Sequence, residues 1–132
     1  MSTETTRERR YKHETDAERY VDAHGLRYYL DVEHLGRNEA DAEVERWQEA
    51  GYWALAQEVE HQGWSVYVTD VRTAYMEARQ SLGTQAEVAK ALGLSHYMSL
   101  AKREQGSRAI SREHWYAMLH LADNPDLVGA TR

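Results

Sequence analysis

Residues 84–106 of this chain read TQAEVAKALGLSHYMSLAKREQG, and their pattern predicts two short helices joined by a glycine turn. Thr84 and Glu87 form a capping box, in which each side chain accepts a hydrogen bond from the backbone amide of the other residue. The first helix is therefore expected to start at Gln85. Its apolar residues share one face over two turns, and they are Val88, Ala89 and Leu92.

The second helix of this stretch follows Gly93, which stands where a helix stop needs a residue that tolerates a positive φ. This helix is predicted from Ser95 onward, and Gly106 is predicted to end it. Its polar side chains are expected to surround an apolar group formed by Met98, Leu100 and Ala101.

The pattern of this stretch, TQxExAxxLGxS followed by ExG, resembles the helix-turn-helix domains of Cro and lambda-repressor type, also called XRE-like regulators. The resemblance covers about residues 71–122. Arg79, in a preceding helix predicted over residues 71–82, is similar to the arginine of the family's "AR" signature, and Ser111 is the expected N-cap of a following helix over residues 110–122. The matching residues of the central pattern are Thr84, Gln85, Glu87, Ala89, Leu92, Gly93, Ser95, Glu104 and Gly106.

This resemblance implies both a fold and a function for residues 71–132. The fold is a helix-turn-helix domain of about four helices, and the function is that of a sequence-specific transcriptional regulator. Such a regulator binds a palindromic operator in double-stranded DNA as a homodimer, and it typically represses its own gene in a phage, plasmid or toxin–antitoxin-like locus. The resemblance implies no enzymatic activity and no cofactor.

The resemblance also implies which side chains contact DNA. The start of the second helix would enter the major groove and reach base edges or a thymine methyl group, while other residues hold phosphates. Gln85 and Arg108 are the expected phosphate contacts. The alternative is a helix-turn-helix that binds protein instead of DNA. The expected DNA-binding residues are Gln85, Ser95, His96, Tyr97, Ser99, Lys102, Arg103 and Arg108.

One departure from the family pattern leaves the register of the second helix open. The spacing from Gly93 to Glu104 is one residue longer than usual, which suits an extended turn and puts Leu100 at the buried site. The outward-facing positions are therefore fixed only to within a neighbouring residue. Arg103 is accordingly the alternative to Lys102 as a base-reading side chain.

The charge of the chain differs between its two halves. The net charge is −6, and residues 1–70 hold 8 Lys and Arg against 16 Asp and Glu, whereas residues 71–132 hold 8 against 6. Because attraction to phosphate is local and screened over about 8 Å at physiological salt, the overall acidity does not exclude DNA binding. The weak positive balance of the C-terminal half favours a dimer, which doubles the contacts.

Residues 1–70 are predicted to form an acidic α+β extension for dimerisation or partner binding, with one long helix and short strands, so the chain as a whole is expected to be mainly α. Residues 9–13, RRYKH, are a candidate strand. A second capping box, Thr15 with Glu18, predicts a helix over residues 16–24. Alternation predicts strands over residues 26–32, where a helix is the alternative, and over residues 64–69.

The long helix is predicted from residue 39 to about residue 62, with an apolar stripe that includes Trp47. Trp53 lies off this stripe and is a candidate partner anchor, because large aromatic side chains often dominate interfaces. Packing of Trp53 under the N-terminal residues is the equally favoured alternative. The candidate residues of a partner or dimer interface are Trp47, Tyr52, Trp53 and Trp64.

The predicted long helix also has a row of glutamates, for which two interpretations are open. The favoured one is an ordinary solvated face. The other is a surface that imitates nucleic-acid phosphates, in which case residues 1–70 act as an antitoxin or phage-type inhibitor of a nucleic-acid enzyme and the helix-turn-helix regulates the gene. The glutamates are Glu39, Glu43, Glu45, Glu49, Glu58 and Glu60.

Several other classes of site are excluded by the sequence. Cysteine is absent, so neither disulfides nor thiolate zinc sites can form. The seven histidines lack partners at metal-ligand spacing, and no catalytic motif is present, so neither a metal nor an enzyme is expected. No signal peptide or transmembrane run is evident, which predicts a cytoplasmic protein.

Overall fold

The computed structural model describes residues 19–130 of the 132-residue chain. The chain divides into two compact units, the first ending at Thr69 and the second beginning at Asp70. The candidate strand at residues 9–13 and the capping box of Thr15 and Glu18 lie outside the described residues. Each unit is therefore considered by itself.

The first unit contains a four-stranded antiparallel sheet and one helix. Strands β1 (Tyr20–Ala23) and β2 (Leu26–Leu35) precede helix α1 (Arg37–Glu49), and strands β3 (Trp53–Val59) and β4 (Gly63–Thr69) follow it. The strand order in the sheet is β1-β2-β4-β3. Helix α1 contacts β3 and β4, and its Ala40 is fully buried. The strands expected over residues 26–32 and 64–69 are confirmed as parts of β2 and β4.

The expectation of a mainly α chain is wrong, because the structure is 51% helix and 25% strand, with the sheet preceding the C-terminal helices. Part of the error is the helix predicted over residues 16–24, because Tyr20–Ala23 form β1. His24 and Gly25 both have positive φ, 55° and 73°. Two successive residues of this kind make a tight hairpin turn that matches the twist of paired strands. Gly25 therefore lies in a turn that joins two strands.

The expected long helix over residues 39–62 is wrong for a similar reason. Helix α1 ends at Glu49, and Gly51, with φ of 93°, turns the chain into β3. From Trp53 the side chains alternate between the two faces of the sheet, as the register with β4 requires. The apolar residues of β3 fit a helical stripe and an alternating strand equally well, and pairing with β4 decides between them.

One group of buried residues in the first unit lies on a single face of the sheet. Tyr28, Leu30 and Tyr67 are fully buried there, and Trp53 and Leu55 pack against them. Leu30 and Leu55 are both register partners of Tyr67, which places the three side chains side by side. Two tyrosines thus occupy core positions in a chain that has no phenylalanine.

The second unit is helical throughout its described length, with α2 (Val71–Leu82), α3 (Gln85–Ala91), α4 (Tyr97–Gln105), α5 (Arg112–Asp123) and α6 (Asp126–Ala130). The four helices predicted for this unit are confirmed, although α4 begins two residues later than expected. The short helix α6 follows these four helices. The buried residues at the centre of this unit include Tyr75, Val88, Leu100, Trp115 and Met118.

Two glycines of the first unit allow a test of the hairpin geometry. Both Gly51 and Gly63 have positive φ, but a Cβ atom at Gly63 would lie 2.8 Å from the backbone oxygen of Leu35, whereas one at Gly51 would meet nothing within 4 Å. Each alanine substitution should cost about 1–2 kcal/mol through backbone strain. Gly63→Ala should cost about 1–3 kcal/mol more, because it also crowds β2. Urea unfolding of the two variants measures this difference, and equal costs would contradict the pairing of β2 with β4 at this point.

Candidate nucleic-acid interface

Local hydrogen bonds define the start of α3 and the turn between α3 and α4. The capping box is present, with the Glu87 amide donating to Thr84 Oγ1 at 3.2 Å and the Thr84 amide donating to Glu87 Oε1 at 3.1 Å. Gly93 has φ of 77°, and the next amide, that of Leu94, donates to the Ala89 carbonyl at 2.9 Å. Local hydrogen bonds therefore fix both the start of α3 and the change of direction after it.

A buried ion pair joins α2 to α4. Arg79 donates through Nε and Nη2 to the two carboxylate oxygens of Glu104, at 2.9 and 2.8 Å, and its Nη1 donates to the Gly83 carbonyl at 3.2 Å. The side chains are 15% and 5% exposed. The hydrogen bond with Glu104 raises the pKa of Arg79. This two-pronged contact fixes the orientation of α4 as well as its distance from α2.

Helix α4 begins with two stacked rings. His96 is its N-cap, and the Nδ1 atom of His96 accepts a hydrogen bond from the Met98 amide at 3.1 Å. The rings of His96 and Tyr97 stack with their centroids 4.6 Å apart. Because Nδ1 is the acceptor, a neutral His96 has its proton on Nε2, where it can donate to another molecule. The exposed Ser95 precedes the helix instead of starting it.

The rotation of α4 about its axis decides which side chains face solvent. Leu100 and Ala101 are buried. Met98, Lys102 and Gln105 are exposed and follow one another at i, i+4 and i+7, so they share one face of the helix. Met98 was expected in the apolar group of this helix, and it lies on the outer face beside Lys102.

Ser99 and Arg103 belong to a separate hydrogen-bonded cluster on the flank of α4. Arg103 Nη1 donates to the Ser99 carbonyl at 2.8 Å and to Ser99 Oγ at 2.7 Å, and Arg108 Nη1 donates to the same Oγ at 3.1 Å. The Nε atom of Arg103 is buried without a hydrogen-bond partner. Burial, together with the charge of Arg108, lowers the pKa of Arg103. Arg103 is thus half-buried in this cluster, whereas Lys102 and Arg108 are exposed.

A tyrosine–histidine pair lies in the electrostatic field of this cluster. Tyr75 Oη and His114 Nε2 are 2.6 Å apart, which joins α2 to α5. Burial raises the pKa of Tyr75 to about 12. Burial, together with the charges of Arg103 and Arg108, lowers the pKa of His114 to about 4. At neutral pH the histidine is uncharged, and its Nε2 can accept a hydrogen bond from the Tyr75 hydroxyl.

The remaining expected DNA contact, Gln85, is the first residue of α3 and is half-buried. Its position next to the capping box fixes its backbone. With the exposed Arg108 in the loop between α4 and α5, it stays a predicted phosphate contact.

The four candidate interface residues of the first unit are half-buried, and each has a defined neighbour. Trp47 donates its indole N–H to Asp31 Oδ2 at 3.0 Å and meets the ring of Tyr52 edge-on. Trp53 packs against the core of the sheet, edge-on to His24. The Arg37 guanidinium lies over the ring of Trp64, 5.5 Å from its centroid.

The aromatic side chains that are exposed in this unit are different ones. Tyr20 and Tyr29 are 42% and 50% exposed and are register partners across β1 and β2. The guanidinium of Arg27 lies 4.0 Å from the Tyr20 ring centroid. An alternating strand pattern over residues 20–23 would have pointed to this pair, but the capping signal favoured a helix there.

No family model, no curated protein and no solved structure matches this chain. The resemblance of residues 71–122 to XRE-like regulators therefore stays a prediction. Among the helices that the structure describes, none is long and apolar enough to cross a membrane.

The buried ion pair predicts a large asymmetry between single and double substitutions. Arg79→Met leaves the carboxylate of Glu104 buried without its partner, which should cost about 3–5 kcal/mol of unfolding free energy. Arg79→Met combined with Glu104→Met should recover most of this loss, because neither charge is then buried. Urea unfolding, followed by circular dichroism at 222 nm, measures the free energy of unfolding of both variants. Additive costs would show that the two groups do not interact.

The depressed pKa of His114 predicts that the free energy of unfolding decreases as the pH is lowered. Its value is about 4 in the folded chain, against 6.5 without perturbation, so the unfolded state binds the proton more readily. The stabilisation is complete above about pH 6.5 and is lost as the pH falls to about 4. We expect a loss of about 2 kcal/mol, less than the full shift implies because the ring is partly solvated.

The matched substitutions for this test are on α5. His114→Gln removes the titrating group but keeps an acceptor for Tyr75, so the slope of unfolding free energy against pH should flatten. His120→Gln changes an exposed histidine of the same helix and should leave the slope unchanged. Equal slopes in all three chains would mean that His114 does not control this loss.

Proposed function

We propose that this chain is a sequence-specific DNA-binding transcriptional regulator, acting as a homodimeric repressor of its own gene at a palindromic operator. The resemblance of residues 71–122 to XRE-like helix-turn-helix domains suggests this function. The arrangement of charge around α4 supports it.

The observation with the greatest weight is that α4 keeps its one carboxylate inside and a cation outside. Glu104 is neutralised by Arg79, while Lys102 is exposed on the outer face. Arg108 adds a further exposed cation in the following loop. A helix face without free negative charge can approach the phosphates that line the major groove.

Each exposed group has a role that its chemistry suits. Lys102 can donate to guanine O6 or N7, and the Nε2 proton of His96 can reach an acceptor at a base edge. Arg108 and Gln85 are suited to phosphates on either side. Arg103, half-buried against Ser99, is better placed to hold the cluster than to read a base.

The dimer follows from the modest charge of this surface. Few phosphate contacts per subunit give weak binding, and two half-sites related by the protein's twofold axis double the contacts. Sedimentation of the chain with a palindromic duplex should therefore give two subunits per duplex. One subunit per duplex at micromolar concentration would contradict the homodimer.

The alternative, an inhibitor whose acidic face imitates nucleic acid, receives less support from the fold. It assumed one helix with six glutamates on its face. Glu58 and Glu60 lie instead on β3 and in the turn after it, whereas Glu39 is in α1. The row of carboxylates on which that function depended is therefore broken.

Two substitutions separate base reading from phosphate binding. On the duplex that the chain selects from random DNA, Lys102→Ala should cost about 1–3 kcal/mol and reduce the preference over other sequences. Arg108→Ala should weaken binding to all sequences alike and reduce the salt slope by about one per half-site. Fluorescence anisotropy at several salt concentrations measures both quantities.

Lys90→Ala is the matched control, because it removes an exposed lysine from the end of α3. It should change the sequence preference less than Lys102→Ala does, and the salt slope less than Arg108→Ala does. Unchanged binding in a triple variant of His96, Lys102 and Arg103 would mean that α4 does not enter a groove.

A further inference from the structure

Two large side chains are exposed at the start of α4. Tyr97 is 44% and Met98 is 39% exposed. Buried contacts of the helix are made further along, by Leu100 and Ala101. Exposed apolar side chains grouped at the end of one helix are typical of a contact surface.

The two side chains differ in freedom and direction. The Tyr97 ring is stacked on His96, so it forms part of the cap of the helix. Met98 lies one turn before Lys102 on the outer face, and its unbranched thioether adapts to the shape of whatever it meets. Met98 is therefore the apolar member of the face that Lys102 shares.

We infer that Met98 is a specificity-determining residue that contacts the 5-methyl group of thymine in the major groove. The inference rests on the proposed function, and it names one base that the operator contains. The methyl group is the apolar feature of the major-groove edge, and an uncharged flexible side chain suits it.

The helix geometry gives the distance between this thymine and the base read by Lys102. Four residues of α-helix rise about 6 Å, and base pairs stack at about 3.4 Å. With α4 lying along the groove, the thymine stands about two steps from the guanine in each half-site.

The experiment uses the full-length chain and the duplex that it selects from a pool of random DNA. Each thymine of this duplex is replaced in turn by deoxyuridine, which removes the methyl group and nothing else. At one position per half-site, the wild-type chain should bind about threefold to tenfold more weakly. Met98→Ala should bind the thymine and deoxyuridine duplexes equally.

This comparison distinguishes a lost base contact from a folding defect. A folding defect would weaken binding to both duplexes alike and leave the ratio of the two affinities unchanged. Leu127→Ala removes another exposed apolar side chain of this unit and should retain the full ratio. An unchanged ratio in Met98→Ala, or a selected duplex without thymine near the guanine, would overturn the inference while DNA binding stands. Selection of no sequence at all would instead contradict the proposed function.

Discussion

The salt bridge between Arg79 and Glu104 is the contact on which the proposed DNA-binding surface depends. Both groups are largely removed from water, which is costly unless every hydrogen-bonding atom finds a partner. Here the carboxylate accepts twice from one guanidinium, and the third nitrogen reaches the Gly83 carbonyl at the end of α2. A planar, two-pronged contact tolerates little rotation. It therefore sets which face of α4 points to solvent.

The cluster of Ser99, Arg103 and Arg108 follows from that rotation. With Glu104 turned inward, the preceding arginine falls on the flank of the helix, where it meets the Ser99 hydroxyl. Two cations on one hydroxyl repel each other, and the neutral state of His114 avoids a third charge beside them. The cluster thus holds the loop after α4 against the helix, and an exposed Arg108 remains at its edge.

The sequence was a good guide to the second unit and a poor one to the first. Helices α2 to α5 have local signals, such as the capping box at Thr84 and the N-cap at Ser111, that do not depend on distant residues. In the first unit, Gly25 turns the chain between β1 and β2, and Gly51, inside the predicted long helix, turns it from α1 into β3. The pairing of β3 with β4 is invisible to local patterns.

At the candidate site, too, the sequence predicted some features correctly and missed others. The resemblance brought Lys102 and Arg108 forward, and both are exposed. It could not tell how the extra residue between Gly93 and Glu104 changes the outward-facing positions of α4. That rotation is set by the contact of Glu104 with Arg79, which lies in another helix. Met98 was consequently placed in the apolar group, and the inward turn of Arg103 was not foreseen.

In the proposed function the outer face of α4 lies in the major groove, and the absence of cysteine from the chain allows a direct measurement. Gln105→Cys, an exposed position on that face, would be labelled with an iron chelate that cleaves nearby DNA, with Glu45→Cys on α1 as the control. We expect cleavage confined to each half-site of the selected duplex. The cleaved positions on the two strands should be offset in the direction typical of a reagent in the major groove. Cleavage equal to that of the control, or none, would show that this face of α4 does not lie in the major groove.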